Sequence, residues 1–289
     1  MKTFWRKRGH GLSIIVPFGC SDVTDQRVKN WTWVRSYWET QLPGAEIIMG
    51  RDAISEKHPS QPFSKSVAVN DAARRAHGDV YAIIDADGYI SASSVLRCAE
   101  EIRKARVAKR KLWYVPYRQF YRLTEEASQF VLHSSPADPF VFSVPPVSEY
   151  VQTTIDANQK NTDCSSYIGH WFGAMIQIVP REAFELVGGW DERFRGWGGE
   201  DLAAMRATDI LYWWHKTLPV PVFHLWHPML SATGTDKWVE WKSRVWRGQT
   251  TAGANGLLSG KYYTRDVKKM RDLVNDGHAF GKKLKEVLL

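Results

Sequence analysis

The chain has 289 residues, 44% of them apolar and 24% charged, which excludes a disordered chain and leaves room for one substantial buried core. No apolar run is long enough for a bilayer span, so no transmembrane segment is expected. A formal net charge of +8 favours anionic ligands, whether nucleic acid, lipid head groups or the phosphates of a nucleotide, without choosing among them.

Residues 12–17, Leu-Ser-Ile-Ile-Val-Pro, form a short apolar run closed by Pro17 and Gly19. This is the pattern of a buried parallel strand ending in a loop that faces a ligand. Trp31, Val34, Tyr37, Trp38 and Leu42 recur at helical spacing, which predicts a helix over 28–42 stopped by Pro43-Gly44. A second strand over 45–49 ends at Gly50-Arg51-Asp52, placing Asp52 where the strand tips of an open α/β sheet meet ligands. A helix over 63–76 and a strand over 80–84 follow, and that strand runs directly into Asp85-Ala86-Asp87-Gly88. Strand and helix alternate at spacings that predict an α/β fold with a doubly wound sheet.

Further along, 93–105 predicts a helix and 111–116 a strand. From 117 to 169 the periodicity fades among Pro136, Pro139, Pro145 and Pro146, as expected of a lid or of acceptor contacts. Strand-like residues return over 171–179, a short helix over 180–187, and a helical run over 202–215. A short strand over 220–227 closes on His224 and His227, and 238–246 and 266–287 look helical and basic.

Two stretches carry the chemistry. On an extended segment residues i and i+2 point the same way, so Asp85 and Asp87 can face one ligand, and a divalent ion carrying a diphosphate relieves their repulsion. The second stretch, over 188–201, reads Gly-Gly-Trp-Asp-Glu-Arg-Phe-Arg-Gly-Trp-Gly-Gly-Glu-Asp. Five glycines in fourteen positions require a shaped loop, and its tryptophans offer flat faces on which a sugar ring can stack. Glu200 and Asp201 then open a helix, where the dipole and free N–H groups favour the ionised form of a general base. His224 and His227 add two imidazoles able to complete a metal shell.

Together these residues resemble nucleotide-sugar glycosyltransferases of the GT-A fold. The loop is especially similar to the carboxyl-terminal motif of the animal beta-galactosyltransferases and polypeptide N-acetylgalactosaminyltransferases. The resemblance implies a GT-A type mixed sheet with flanking helices, and a UDP-sugar donor held through manganese or magnesium. It implies that Asp87, with Asp85 near it, binds the ion together with His227 and with His224, which stands where the galactosyltransferases have methionine. Trp197, Gly198 and Gly199 would line the sugar pocket, Glu200 would grip hydroxyls, and Asp201 would take the proton from the acceptor. Phe63-Ser64-Lys65-Ser66 is similar to a segment near the nucleotide in those enzymes, which assigns Lys65 to the donor. The loop ends in Glu-Asp, as in the inverting relatives.

The expected organisation is a glycosyltransferase domain over 1–230, with a nucleotide-binding part at about 10–116 and an acceptor part at about 117–230, then a helical extension over 231–289. The competing readings are a nucleotidyltransferase, which also uses a strand-end Asp-x-Asp, and a basic nucleic-acid- or glycan-binding protein with a degenerate site. Three cysteines, Cys20, Cys98 and Cys164, form no C-x-x-C pair. Their odd number, with no signal-peptide pattern at the start, leads to the expectation of a cytoplasmic enzyme of a bacterium or a phage-infected host. The basic runs over 103–111 and 268–285 lie outside the predicted catalytic loops and favour a polyanionic acceptor such as modified DNA, ahead of a glycolipid or a protein.

Overall fold

A computed structural model describes residues 11–19, 25–144, 150–165, 175–196, 198–228 and 251–289. Strand β1 (Leu12–Pro17) is buried along its whole length, as a continuous apolar run in a parallel sheet must be. It lies between β2 (Glu46–Gly50) and β3 (Val80–Ile84), parallel to both, with Ile14 opposite Ile47 and Ala82. Helix α1 (Gln26–Gln41) starts where the Asp25 carboxylate accepts the Arg27 amide, and it buries Trp31, Val34 and Trp38 in the main core.

The loop after β2 departs from the expectation. Asp52 does not face a ligand: it is 1% exposed and caps α2 (Ala53–Lys57) by accepting from Ile54 N, and its other oxygen accepts from Ser64 N and Arg195 Nη2. A carboxylate so satisfied holds the loop to the chain that follows. Helix α3 (Lys65–Arg75) begins at Ser64, whose hydroxyl caps Val67 N and donates to Phe194 O in the glycine-rich loop.

Beyond β3 the chain turns rather than extends. Gly88 N donates to Asp85 O, and β4 (Gly88–Tyr89) leaves for a second sheet. Helix α4 (Ala92–Val107) covers the first sheet. The strand expected over 111–116 is replaced by an irregular segment with bridges from Tyr114 to Ile178 and to Lys216. The region from 117 onward is more ordered than its weak periodicity suggests. It contains β5 (Gln119–Leu123), α5 (Glu125–His133), β6 (Val151–Ile155) and β7 (Asn161–Ser165). Strand β8 (Ile176–Pro180) then returns antiparallel to β3.

Helix α6 (Arg181–Leu186) leads to the glycine-rich loop, α7 (Glu200–Leu211) follows it, and β9 (Pro221–His224) enters the second sheet. Among the described residues the strand orders are β2-β1-β3-β8 and β4-β9-β5-β6-β7. Both sheets are mixed, so the α/β class with a doubly wound mixed sheet and flanking helices holds. Helix α8 (Thr251–Lys261), not anticipated from the pattern, and α9 (Val267–Leu288) pack on α7. Tyr262, Met270 and Leu273 share a small core with Val187, Phe194, Ala203 and Leu211. The helical tail is thus built onto the glycine-rich loop. The helix expected over 238–246 lies outside the described residues, as do residues 171–174 of the strand expected over 171–179, whose remainder is β8.

Candidate functional site

Two sheets meet at the turn after β3, and this junction assembles the site. Leu225 N donates to Asp87 O, and Gly88 pairs with His224 across the antiparallel β4–β9 ladder. That pairing carries both histidines to the aspartate. His227 Nε2 lies 3.2 Å from Asp87 Oδ2, and His224 Nε2 lies 3.8 Å from Asp87 Oδ1. One ligand atom from each of Asp87, His224 and His227 falls within 4.8 Å of the others.

The donor set fits a divalent ion. His227 Nδ1 lies 3.1 Å from Pro228 O, which can only accept, so Nδ1 carries a proton and Nε2 faces Asp87. Without an ion the short Nε2 contact with Asp87 also needs a proton. Burial opposes charge on His227, but the hydrogen bond to Asp87 and its charge outweigh that and raise the imidazole above its usual range. Burial also works against Asp87, yet His224, His227 and Lys65 hold its carboxyl far below the ordinary value. His224 is pushed down to about 4, first by burial, so it is a neutral imidazole ready to ligate. An ion would take the place of the His227 proton, with the second ring nitrogen already oriented by a carbonyl.

Asp85 does not join this group. The turn at 85–88 breaks the extended alternation that would have aimed Asp85 and Asp87 together, and Asp85 Oδ1 instead meets Lys65 Nζ at 2.5 Å. The same ammonium lies 2.8 Å from Asp201 Oδ1. Lys65, from the first turn of α3, therefore joins the end of the first sheet to the start of α7. Burial opposes its charge, but Asp201, Asp85 and Glu200 together raise its pKa far above the usual lysine range.

The glycine-rich loop turns as its composition requires. Gly188, Gly189, Gly196, Gly198 and Gly199 all have positive φ, and Gly199 at φ 90° is the N-cap of α7. Asp201 and Glu200 occupy the first turn of that helix, as expected. The helix end is expected to favour ionised Asp201, and the surroundings of the carboxyl work in the other direction. Burial first, then the charges of Glu200 and Asp85, raise its carboxyl well above the ordinary range against the pull of Lys65. Burial and two further acids together oppose the pull of one lysine. Glu200 is 8% exposed, and its Oε2 has no hydrogen-bond partner among the described residues.

The Trp190 face differs from expectation. Trp190 is 3% exposed, its backbone N and O are both bonded to the Asn70 side chain, and its ring belongs to the core. Trp197 lies outside the described residues. Pro17 ends β1 opposite Gly50 in the interior. Two neighbours of the site escaped the sequence reading. Gln177 Nε2 donates to Asp201 O. Burial together with Tyr150, Asp201 and Asp85 raises the Tyr117 phenol well above its normal range. No motif marks either residue, since each owes its place to sheet geometry.

The family model described as the N-terminal domain of galactosyltransferase matches residues 153–207. The matched segment contains the whole glycine-rich loop and the start of α7, so the resemblance to the galactosyltransferases holds there. No curated protein matches the chain. Among solved structures, the catalytic domain of Drosophila beta1,4galactosyltransferase 7 with xylobiose is similar at 14% identity and TM-score 0.36, over 73% of this chain and 65% of that one. GalNAc-T7 with UDP, GalNAc and Mn2+ is similar at 10% identity and TM-score 0.40, over 94% and 55%. The mannosyltransferase PcManGT from Pyrobaculum calidifontis, with GDP-Man and Mn2+, is similar at 14% identity and TM-score 0.43, over 98% and 79%. The chain thus spans somewhat less than two thirds of the Drosophila chain and about half of GalNAc-T7. Among the described residues no helix is long and apolar enough to cross a membrane.

Proposed function

We propose that this protein is a divalent-metal-dependent, inverting glycosyltransferase that moves a sugar from a nucleoside diphosphate, UDP in the first instance, to an acceptor hydroxyl. The observation that carries the reading is the meeting of three groups. These are a ligand set of Asp87, His224 and His227, the carboxylates Glu200 and Asp201 at the start of α7, and Lys65 between Asp85 and Asp201. The match of the galactosyltransferase model across the loop supports it.

An acceptor hydroxyl is a weak nucleophile at neutral pH. Asp201 accepts its proton as the oxygen bonds to the anomeric carbon and the bond from that carbon to the diphosphate oxygen breaks on the opposite face. A carboxyl raised above its ordinary range is a stronger base once ionised, which suits this step. Glu200 presents its unpartnered Oε2 to a sugar or acceptor hydroxyl, a group that would satisfy it. Lys65 holds Asp201 in place and offers a positive charge beside the departing diphosphate. A bound ion, held by Asp87, His224 and His227, supplies charge neutralisation to that diphosphate; two imidazoles in the set favour manganese over magnesium. Gly198 and Gly199 shape the pocket wall beside Glu200, whereas Asp52 keeps its structural place.

A nucleotidyltransferase would have no use for Glu200 and Asp201 at the head of α7. A modified-DNA acceptor loses part of its basis. Arg103 and Arg106 pair with Asp79, and Lys285 pairs with Glu192, so each basic run is partly committed within the fold. The reading is tested by hydrolysis and transfer assays over a panel of nucleotide sugars in chelator and in manganese. Turnover of a UDP-sugar restored by manganese supports it, and turnover unaffected by chelator removes the metal role.

A further inference from the structure

A group of exposed cations lies at the far end of α7 from the site. That helix has 12 residues, so its ends are about 18 Å apart. At the carboxyl end Tyr212 is followed by Trp213 and Trp214, 57% and 49% exposed. Beside them runs the irregular segment after α4. Trp113 Nε1 donates to Trp213 O, Lys111 Nζ sits 5.4 Å from the centre of the Tyr212 ring, and Val115 N donates to Lys216 O. The turn at the end of α4 leaves Val107 87% exposed, with Lys109, Arg110 and Lys111 exposed after it. Among the described residues no carboxylate lies within ion-pair distance of Lys109, Arg110, Lys111 or Lys216.

We infer that this surface, the exposed Trp213 and Trp214 with Lys216, the adjoining Lys111, and the Val107, Lys109 and Arg110 turn that leads into it, is a docking surface for an anionic phospholipid bilayer. Indole rings are stabilised at the boundary of head groups and acyl chains, where the ring is buried and its N–H stays wet. Lysine and arginine around them are attracted to acidic head groups, and their long stems let the charge remain in the aqueous layer. Nucleic acid would satisfy the cations and could stack on the indoles. It would gain little from Val107, the most exposed large apolar side chain among the described residues, which an acyl layer does bury. Because the patch sits at the opposite end of α7 from Glu200 and Asp201, a docked protein keeps its site clear of the head groups. The inference is independent of the reaction proposed above.

The test uses the full chain, vesicles of phosphatidylcholine alone, and vesicles of phosphatidylcholine mixed with phosphatidylglycerol, sedimented across a salt series. The protein is expected to pellet with the mixed vesicles only and to be released as salt rises. The pair Trp213→Ala and Trp214→Ala should weaken binding about ten-fold or more, and each of Lys109→Glu and Arg110→Glu about five-fold or more. Unchanged circular dichroism and thermal melting keep these surface variants interpretable. Equal binding to both vesicle types, or variants that bind like the parent, would overturn the inference. Retardation of single-stranded DNA by a protein that binds neither vesicle would overturn it in favour of a nucleic-acid surface.

Discussion

Lys65 Nζ stands 2.8 Å from Asp201 Oδ1 while also touching Asp85, so one buried ammonium ties the proposed base to the end of β3. The arrangement holds more acid than base, because Glu200 belongs to the same cluster. Lys65→Met should therefore lower transfer by about 100-fold, the scale of losing a group that positions and stabilises charge. It should also move the acid limb of the kcat/KM profile to higher pH, because Asp201 loses the charge that pulls its pKa down. A pH–rate series on both proteins checks this, and an unmoved limb would detach Lys65 from Asp201.

Asp201→Asn is expected to reduce transfer by about 100-fold while raising the melting temperature at neutral pH. The folded-state pKa of Asp201 lies above its unfolded value, so the folded protein prefers the neutral form. Stability from this group is present at low pH and is lost as pH rises through the folded value, and a neutral isostere removes that loss. Parallel melts and transfer assays measure both effects. A variant that is both fully active and no more stable would remove the role and its electrostatic account.

The concentration of manganese giving half-maximal activity should rise as pH falls through the His227 pKa, which lies above the usual histidine value. Protonation of Nε2 competes with the ion, so the rise begins at a higher pH than an unperturbed imidazole would give. His227→Ala should raise the requirement at all pH values and flatten the dependence. Isothermal titration of manganese at several pH values reads this directly, without turnover.

Lys285 of α9 donates to Glu192, a 7%-exposed side chain whose other partner is Asn70 of α3. Lys285→Ala leaves that carboxylate short of a charged partner and should cost about 1–3 kcal/mol of stability. Chemical denaturation is the measurement. Manganese affinity should stay unchanged, because the ligands belong to the β4–β9 ladder.

At Gly199 an added Cβ would lie 3.0 Å from Asn255 O and would face a φ of 90°. Gly199→Ala should destabilise the protein by about 1–2 kcal/mol and displace the first turn of α7, lowering transfer with little change in manganese requirement. Melting and assay of the same preparation separate the two consequences.

Much of what depends on near neighbours in the chain was legible in the sequence. The apolar run at 12–17, the tryptophan spacing of α1, the strand before Asp85 and the positive-φ glycines before α7 each follow from local sterics and periodicity, which need no partner to be recognised. Whatever depends on which segments meet was decided only by tertiary structure. Asp52 looked like a ligand because it follows a strand, but the polar groups of Ile54, Ser64 and Arg195 claim both its oxygens. Asp85 and Asp87 diverge because the chain must turn there to start a second sheet, and the β4–β9 pairing then brings His224 and His227 to one of them while α3 brings Lys65 to the other. The upward shift of the Asp201 carboxyl depends first on its burial and then on the charges of Lys65, Glu200 and Asp85 around it, a long-range sum that no local pattern of residues encodes.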